Sequence, residues 1–564
     1  MQNQNNELTH AQISRIAIQK LYITMKHLFF KGEFKPMGNS GSSMVKAMLD
    51  LKPEIYGSIA DPYKVELNGL LYIFERLPKG IEECRNIHLI SREGFEKSNF
   101  EPIIPRKRRR NCYRIDSNEM YIEMTRGRSD IYDILTHLTF MYIEADKIRN
   151  KALDASRKRT RAWDMLEKFI MDRSEQSEVN LEVGYSYLSA LLGRTFDEVK
   201  ASNEKFESSK DANDLFNVVY WLGKLSIDEH LYKKSRVISF STPLQERLGS
   251  HQFGEMWADN IKNYLKSKNL LHRPIHIISA NMHSVMNCFY APAALSDHYK
   301  DHSIADIAEI LSRDENKTLR DDIHNYACSN GMHYLEDESG TNIPVQIFDL
   351  AQYSAKDLPH ELHWSKPLEE ASCPIIIVMD YAFGEQAYEA LDELLKPFDK
   401  KGAKIPLNVQ SINIMGKAGI LIGGKGDIMV PTAHVFEGST DNYPFENAMK
   451  MEDLEGHGLL VVKGPMISVL GTSLQNRPIL QYFMESSWGM IGLEMEGAHY
   501  QKAIQVNSKI RNNIKSDVVV RYAYYASDNP LETGSTLASG SLGLDGVKPT
   551  YLITISMLNG ILAS

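Results

Sequence analysis

The chain has 564 residues, enough for roughly two to four domains with buried cores. Hydrophobic residues make up 43% and charged residues 24%, a globular balance that excludes global disorder. Lys and Arg number 64 against 73 Asp and Glu, and the resulting charge of −9 argues against sequence-independent nucleic-acid binding, which needs a phosphate-facing basic surface.

Five cysteines, Cys84, Cys112, Cys288, Cys328 and Cys373, lie far apart and form no CxxC pair. That spacing excludes a zinc ribbon or a dense disulfide framework and fits a reducing, cytoplasmic setting. The opening MQNQNNELTH has no charged region leading into an apolar one, and no stretch approaches the length of a membrane span. Neither secretion nor membrane insertion is expected.

The first half reads as mainly helical. Ile13, Ile16, Ala17, Leu21, Met25 and Leu28 recur near a helical period over 8–31, and Ile131, Ile134, Leu135, Leu138 and Tyr142 do so over 129–149, with Ser129 a suitable N-cap. Residues 180–200, 211–225 and 253–265 also predict helices, and the polar stretches 174–178 and 202–212 predict exposed connections.

Near His272 the pattern changes to apolar, β-branched runs, each followed by a turn and a helical segment: 275–278, 374–380, 411–415, 426–430, 458–463 and 518–528. Strands alternating with helices predict an α/β domain with a mixed central sheet flanked by helices. We therefore expect a mainly helical domain over 1–270 and an α/β domain over 271–564, with 317–368 inserted because it breaks the alternation.

Ligands of open α/β sheets gather at strand ends, so the residues after each run carry the functional signal. Gly416 and Gly419 would let the backbone turn and approach a ligand, with Lys417 offering a charge to an anion. In isolation such a segment is an ordinary turn. Glu494-Met495-Glu496 places two carboxylates at i and i+2, on one face if the segment stays extended. A carboxylate can accept from two vicinal hydroxyls, but acids before a helix also simply complement its dipole. The run ending Ser527-Asp528-Asn529-Pro530 offers a buried acid able to donate a proton, or an Asx turn before proline.

In this order and spacing the pieces SINIMGKAGILIGGKGDIMVPTAHVFEG, GTSLQNRPIL, GLEMEGAHY and YASDNP, with IHIISANMHSV and IVMDYAFGEQAYEAL, resemble the purine nucleoside phosphorylase and nucleosidase superfamily over about 275–564. Adenosine monophosphate nucleosidase and methylthioadenosine/S-adenosylhomocysteine nucleosidase look closest. The resemblance implies that Glu496 binds the ribose hydroxyls with Met495 against the sugar. It also implies that Asp528, beside Ser527, protonates the departing purine. Gly416, Lys417 and Gly419 would hold the nucleophile or phosphate, and Leu474 and Gln475 would line the base. It implies a homo-oligomer acting on a purine nucleoside or nucleotide, without metal or organic cofactor.

Two departures follow. SANMHSVMNCF lacks the Gly-x-Pro-x-Arg phosphate loop, which favours water as the acceptor over phosphate. The glutamate base of the nucleosidases is also missing there, and His283 is the nearest ionisable substitute. Lys417 keeps a phosphorylase in view, and the missing glutamate keeps a non-catalytic nucleoside-binding protein in view. In the first half, PRKRRRNCYR predicts a solvated basic loop or anion patch, and Arg126 and Arg128 before a helix start predict a site for a phosphate or other anionic effector.

Overall fold

The computed structural model describes residues 8–175, 180–207, 214–299, 302–400, 402–532 and 542–563. The chain forms two compact units, Met1–Ser250 with Ser473–Ile479, and His251–Thr472 with Leu480–Ser564.

The first unit is not purely helical. It holds a five-stranded sheet, β1 (Glu33–Phe34), β2 (Asn86–Ile90), β3 (Cys112–Arg114), β4 (Glu119–Glu123) and β5 (Val237–Phe240), in the order β1-β5-β2-β4-β3. Its inner strands β5, β2 and β4 are parallel. They are four or five residues long and interrupted by half-buried polar positions, too short for a periodic signal. The helices follow the apolar spacing, with bounds set by caps. His10–Lys31 starts at a Thr9–Gln12 capping box and ends at Gly32 in the left-handed region. The segment 180–200 divides at left-handed Gly193 into Leu181–Leu192 and Phe196–Glu207. The helix foreseen over 211–225 is Leu215–Tyr232, capped by Asp214. Gly127–Ala152 begins two residues before Ser129, so Ser129 is not its cap. Of the connections foreseen at 174–178 and 202–212, residues 176–178 and 208–212 lie outside the described residues, and 202–207 is helical.

The second unit begins about 20 residues earlier than expected. The helix Gln252–Ser267 belongs to it because Trp257, Ala258, Ile261 and Leu265 pack in one cluster with sheet residues Ile275, Ile347 and Ile377. Trp257 Nε1 also donates to the Ile343 carbonyl at 2.8 Å.

Its strands are β6 (Ile275–Ser279), β7 (Met332–Leu335), β8 (Val345–Asp349), β9 (Ile375–Met379), the hairpin β10 (Phe398–Lys400) and β11 (Ala403–Ile405), β12 (Val409–Ile420), β13 (Ile428–Phe436), β14 (Asn442–Pro444), β15 (Val461–Ser468), β16 (Gly492–Glu494) and β17 (Val519–Asp528). The sheet runs β14-β13-β15-β16-β12-β6-β9-β8-β7, with β17 bonded to both β12 and β13. The pairings β13-β15-β16-β12-β17-β13 therefore close on themselves, and β6, β9, β8 and β7 extend from one side of this ring. The segment 317–368 is no break in the sheet, since its hairpin β7-β8 forms the sheet's edge beside β9.

Strands β6 and β9 are buried along their full length, as central strands covered on both faces are. Ile275, Ile277, Ile375 and Ile377 point into one apolar cluster, and Ile278, Ile376 and Val378 into another. The alternation is the two-residue period of a strand. The first cluster includes the helices Gln252–Ser267, Gln386–Leu395 and Gly497–Gln505, and the second includes Ser284–Ala294 and Val547–Leu562. No helix among the described residues is long and apolar enough to cross a membrane.

Candidate active site

The candidate site lies where β12 changes partners. β6 accompanies β12 as far as Ile414, and β16 joins from Gly419 onward, running the opposite way. Over 415–418 neither strand flanks that edge, and such a split between neighbouring strands is where α/β sheets bind ligands. On the other edge β17 runs parallel to β12 from Ser411 to Gly419, with a register shift between Ala418 and Gly419. Gly419 is in register with Leu493 of β16 on one side and with Asp528 of β17 on the other. Neighbouring strands are about 4.8 Å apart, so the Glu-Met-Glu segment and Asp528 flank the same short stretch of β12.

The two glutamates do different work. β16 ends at Glu494, and its buried carboxylate turns back to accept the N–H of Glu496 at 2.5 Å and the N–H of Gly497. It also accepts the Ser468 hydroxyl and lies 3.3 Å from His434 Nδ1. Burial would raise the Glu494 carboxyl, but His434, Ser468 and the Gly497 N–H outweigh it and bring its pKa below the ordinary carboxylate value. Glu494 is therefore the acid that serves a helix N-terminus. The expectation that both acids share one face fails because the strand ends between them. Glu496 occupies the N-cap position of Gly497–Gln505, is half-buried, and accepts the Gly384 N–H at 3.0 Å through Oε1. Met495 beside it is also half-buried.

Asp528 closes β17 and is 6% exposed. Its Oδ1 lies against the Ser527 hydroxyl, which is also 3.1 Å from the Ala418 carbonyl. The Asx turn before proline belongs to the next residue: Asn529 Oδ1 accepts the Leu531 N–H at 2.9 Å. His283 follows β6 and precedes the helix Ser284–Ala294, whose Ser284 N–H is taken by Asn281 Oδ1 at 2.8 Å. The His283 side chain reaches solvent, yet the surrounding protein lowers its pKa by desolvation.

A model of a family of unknown function, DUF6909, matches residues 42–325 and 307–563. The chain belongs to that family. No curated protein matches it. Among solved structures, Campylobacter jejuni 5'-methylthioadenosine/S-adenosyl homocysteine nucleosidase is similar over 52% of this chain and 99% of its own, at 12% identity and TM-score 0.30. A futalosine hydrolase mutant of Helicobacter pylori strain 26695 is similar over 52% and 98%, at 11% identity and TM-score 0.28. AMP nucleosidase from Bacteroides thetaiotaomicron is similar over 55% and 97%, at 12% identity and TM-score 0.30.

In this DUF6909 chain, the turn expected at Gly416–Gly419 needs correction. Gly416 and Gly419 form no turn: both lie inside β12, which continues to Ile420 because β17 accompanies it, and the turn comes later, at Gly423 and Gly426 with φ of +120° and +89°. Lys417 is exposed in mid-strand. Leu474 and Gln475 are buried, but in the segment Ser473–Ile479, which belongs to the first unit. There the Gln475 carbonyl accepts the Glu54 N–H at 2.8 Å, and Asn476 Nδ2 donates to Ser14 Oγ at 2.9 Å and to the Leu51 carbonyl at 2.8 Å.

Other contributors were missed. Gly384 sits at φ +55° in the turn between β9 and Gln386–Leu395, and its only sequence mark was the small-residue turn. Tyr381 and Tyr524 rings flank Gly416, where a Cβ would lie 3.4 Å from Tyr524 and 4.0 Å from Tyr381. Burial raises both phenols well above their ordinary pKa, so they act as neutral hydroxyls. Among the described residues one trio, His251, Asp392 and Glu393, has metal-ligand spacing. Arg511 lies 2.8 Å from Asp392 and Lys396 2.6 Å from Glu393, so cations of the chain already compensate these acids.

Proposed function

We propose that the second unit hydrolyses the N-glycosidic bond of a purine nucleoside or nucleotide. The observation that carries this reading is the register at Gly419, which brings Asp528 to one edge of β12 and the Glu494–Glu496 segment to the other. One acid is then available to the base and one to the sugar.

In the reaction, the bond between C1′ and the purine nitrogen breaks and its electron pair leaves with the base. Asp528 donates a proton to the base, neutralising the charge that develops there. Glu496, oriented by the Gly384 N–H, accepts from the ribose hydroxyls and stabilises the positive charge growing near C1′. Water adds to C1′ and gives its proton to His283, whose lowered pKa keeps the ring neutral and able to accept it. The products are the free base and the free sugar or sugar phosphate.

A second reading, phosphate as the attacking group, is favoured by Lys417, an exposed ammonium within the unflanked stretch of β12. The purified protein should be incubated with a panel of purine nucleosides and nucleotides, with and without phosphate, and free base measured. Release without phosphate supports hydrolysis, and phosphate-dependent release supports the second reading. Binding without release would leave a nucleoside-binding protein and end the enzymatic proposal. Asp528→Asn should slow release by about 10²–10⁴.

A further inference from the structure

We infer that the Tyr524 hydroxyl reads an alcohol group of the substrate's sugar: the space over Gly416 admits the edge of the sugar, and one hydroxyl there accepts from Tyr524 while it donates to Glu496. The inference rests on the proposed reading of the second unit as a nucleosidase, and adds to it a residue that selects ribosides over deoxyribosides.

Every second residue of β12 and β17 faces one apolar cluster, with Ile414 and Ala418 from β12 and Tyr522, Tyr524 and Ala526 from β17. Tyr500, from the helix that Glu496 caps, lies in the same cluster. Gly416 is the position in this series without a side chain. It is in register with Tyr524 and falls in the stretch of β12 that neither β6 nor β16 flanks. A Cβ at Gly416 would meet Tyr524 Cδ1 and Cε1 first, at 3.4 Å, and then Tyr381 Cε1 at 4.0 Å. Those are ordinary contact distances, so the fold has room for a methyl group there. The φ of Gly416 is not positive either. Neither crowding nor backbone conformation calls for glycine, and glycine inside a strand otherwise weakens it. What it leaves is bare backbone open to close approach between two tyrosine rings.

A second observation is independent of the first. Tyr524 is 4% exposed, and its hydroxyl has no hydrogen-bond partner in the protein. Cε1, two bonds from that oxygen, is one of the ring atoms 3.4 Å from the Gly416 Cβ position, so the hydroxyl borders the same space. A buried hydroxyl left unpaired is costly, and phenylalanine would fill the same volume without that cost. The strands therefore hold two departures from their most stable sequence at one place. A ligand hydroxyl entering beside Gly416 resolves both.

The neighbours select the chemistry of that group. Burial first, and then neighbours that include the carboxylates of Glu494 and Glu496, keep the Tyr524 phenol protonated, so it donates. The Glu496 carboxylate takes the Gly384 N–H at 3.0 Å through Oε1, and Gly384 follows by three residues Tyr381, the other wall of the space. A carboxylate only accepts. A group between the two must accept from the phenol and donate to the carboxylate, and an alcohol does both. A phosphoryl dianion cannot donate and would face the charges of Glu494 and Glu496; an amino group of the base cannot accept. The ligand group at this point is a sugar hydroxyl.

The test is calorimetric titration of the full-length protein carrying Asp528→Asn, so that turnover does not consume the ligand. Adenosine, inosine and guanosine are titrated first, and the one that binds is compared with its 2′-deoxy and 3′-deoxy analogues. The riboside should bind more tightly than at least one analogue. Adding Tyr524→Phe should weaken the riboside about ten-fold or more and change that analogue less than about two-fold. The melting temperature of the ligand-free protein should stay the same or rise, because the substitution removes only an unpaired hydroxyl. Gly416→Ala should likewise keep or raise the melting temperature while it weakens the riboside. Equal losses for the riboside and both analogues, or a riboside affinity unchanged in either variant, overturn the inference and leave the nucleosidase reading standing. If the protein with Asp528 intact neither binds nor cleaves any of the three nucleosides, that reading fails and the inference with it.

Discussion

Gly384 donates its backbone N–H to Glu496 Oε1 at 3.0 Å, tying the turn after β9 to the turn after β16. Gly384 sits at φ +55°, where an L side chain is strained. Gly384→Ala should cost about 1 kcal/mol of stability and shift the N–H that orients Glu496. If Glu496 binds ribose as proposed, kcat/KM falls about ten-fold or more. Melting curves and steady-state kinetics check this, and unchanged stability together with unchanged kcat/KM would remove the orienting role.

Gly497 is required for a different reason, since its φ is ordinary. A Cβ there would lie 2.3 Å from His434 Cε1 and Nδ1 and 2.8 Å from Glu494 Oε1. The His434 ring cannot yield: it is 0% exposed, stacked on Phe445 with centroids 5.4 Å apart, and 4.9 Å from Tyr522. Gly497→Ala should therefore cost about 1–3 kcal/mol, the usual penalty for overpacking. Urea denaturation measures it, and a loss under about 0.5 kcal/mol would mean that the turn holding Glu496 is looser than these contacts indicate.

The strands of the second unit were legible because Ile275–Ser279, Ile375–Met379 and Val519–Asp528 are long apolar, β-branched runs. Their order in the sheet was not, because register depends on partners far away in the chain. Nothing local to GKAG tells a turn from a strand held straight by β17. The same limit governs the acids. Glu494, Glu496 and Asp528 were visible as residues, but the division of labour between the glutamates depends on Ser468 and His434, 26 and 60 positions before Glu494. Adjacency in the chain to the sheet's strands does not tell that Leu474 and Gln475 group with the first unit. The amide of Asn476 instead pins their segment to Ser14 and Leu51.

The pH profile of base release should report His283. In the proposed mechanism it acts as the neutral base, so protonation abolishes its role. Its pKa lies below the ordinary 6.5 through desolvation. The acidic limb of kcat/KM should therefore have its midpoint below pH 6.5, and His283→Ala should remove that limb along with most of the rate. A midpoint above 6.5, or an acidic limb that survives in His283→Ala, would assign the base to another group.

Acidification from pH 7 to pH 5 should affect the two units in opposite directions. In the second unit His276 is 3% exposed, its Nδ1 is 2.8 Å from Ser411 Oγ, and burial followed by the charge of Arg521 holds its pKa at about 4. Its folded pKa is below the unfolded value near 6.5, so the unfolded chain takes up the proton first. The stability it contributes above 6.5 declines as pH falls, by about 2 kcal/mol between pH 7 and 5. The first unit has one such histidine, His137, with a pKa of about 4, but also Glu82 and Glu144, whose carboxyls burial raises to about 7. Those acids bind protons in the folded state before the unfolded one, and each contributes about 2 kcal/mol of added stability over the same interval. Two carboxyls outweigh one histidine, so the first unit should gain while the second loses. Hydrogen exchange read by mass spectrometry at the two pH values, corrected for intrinsic exchange rates, follows each unit separately. His276→Gln should flatten the pH response of the second unit alone. A response unchanged by that substitution would place the sensitive group elsewhere in the sheet.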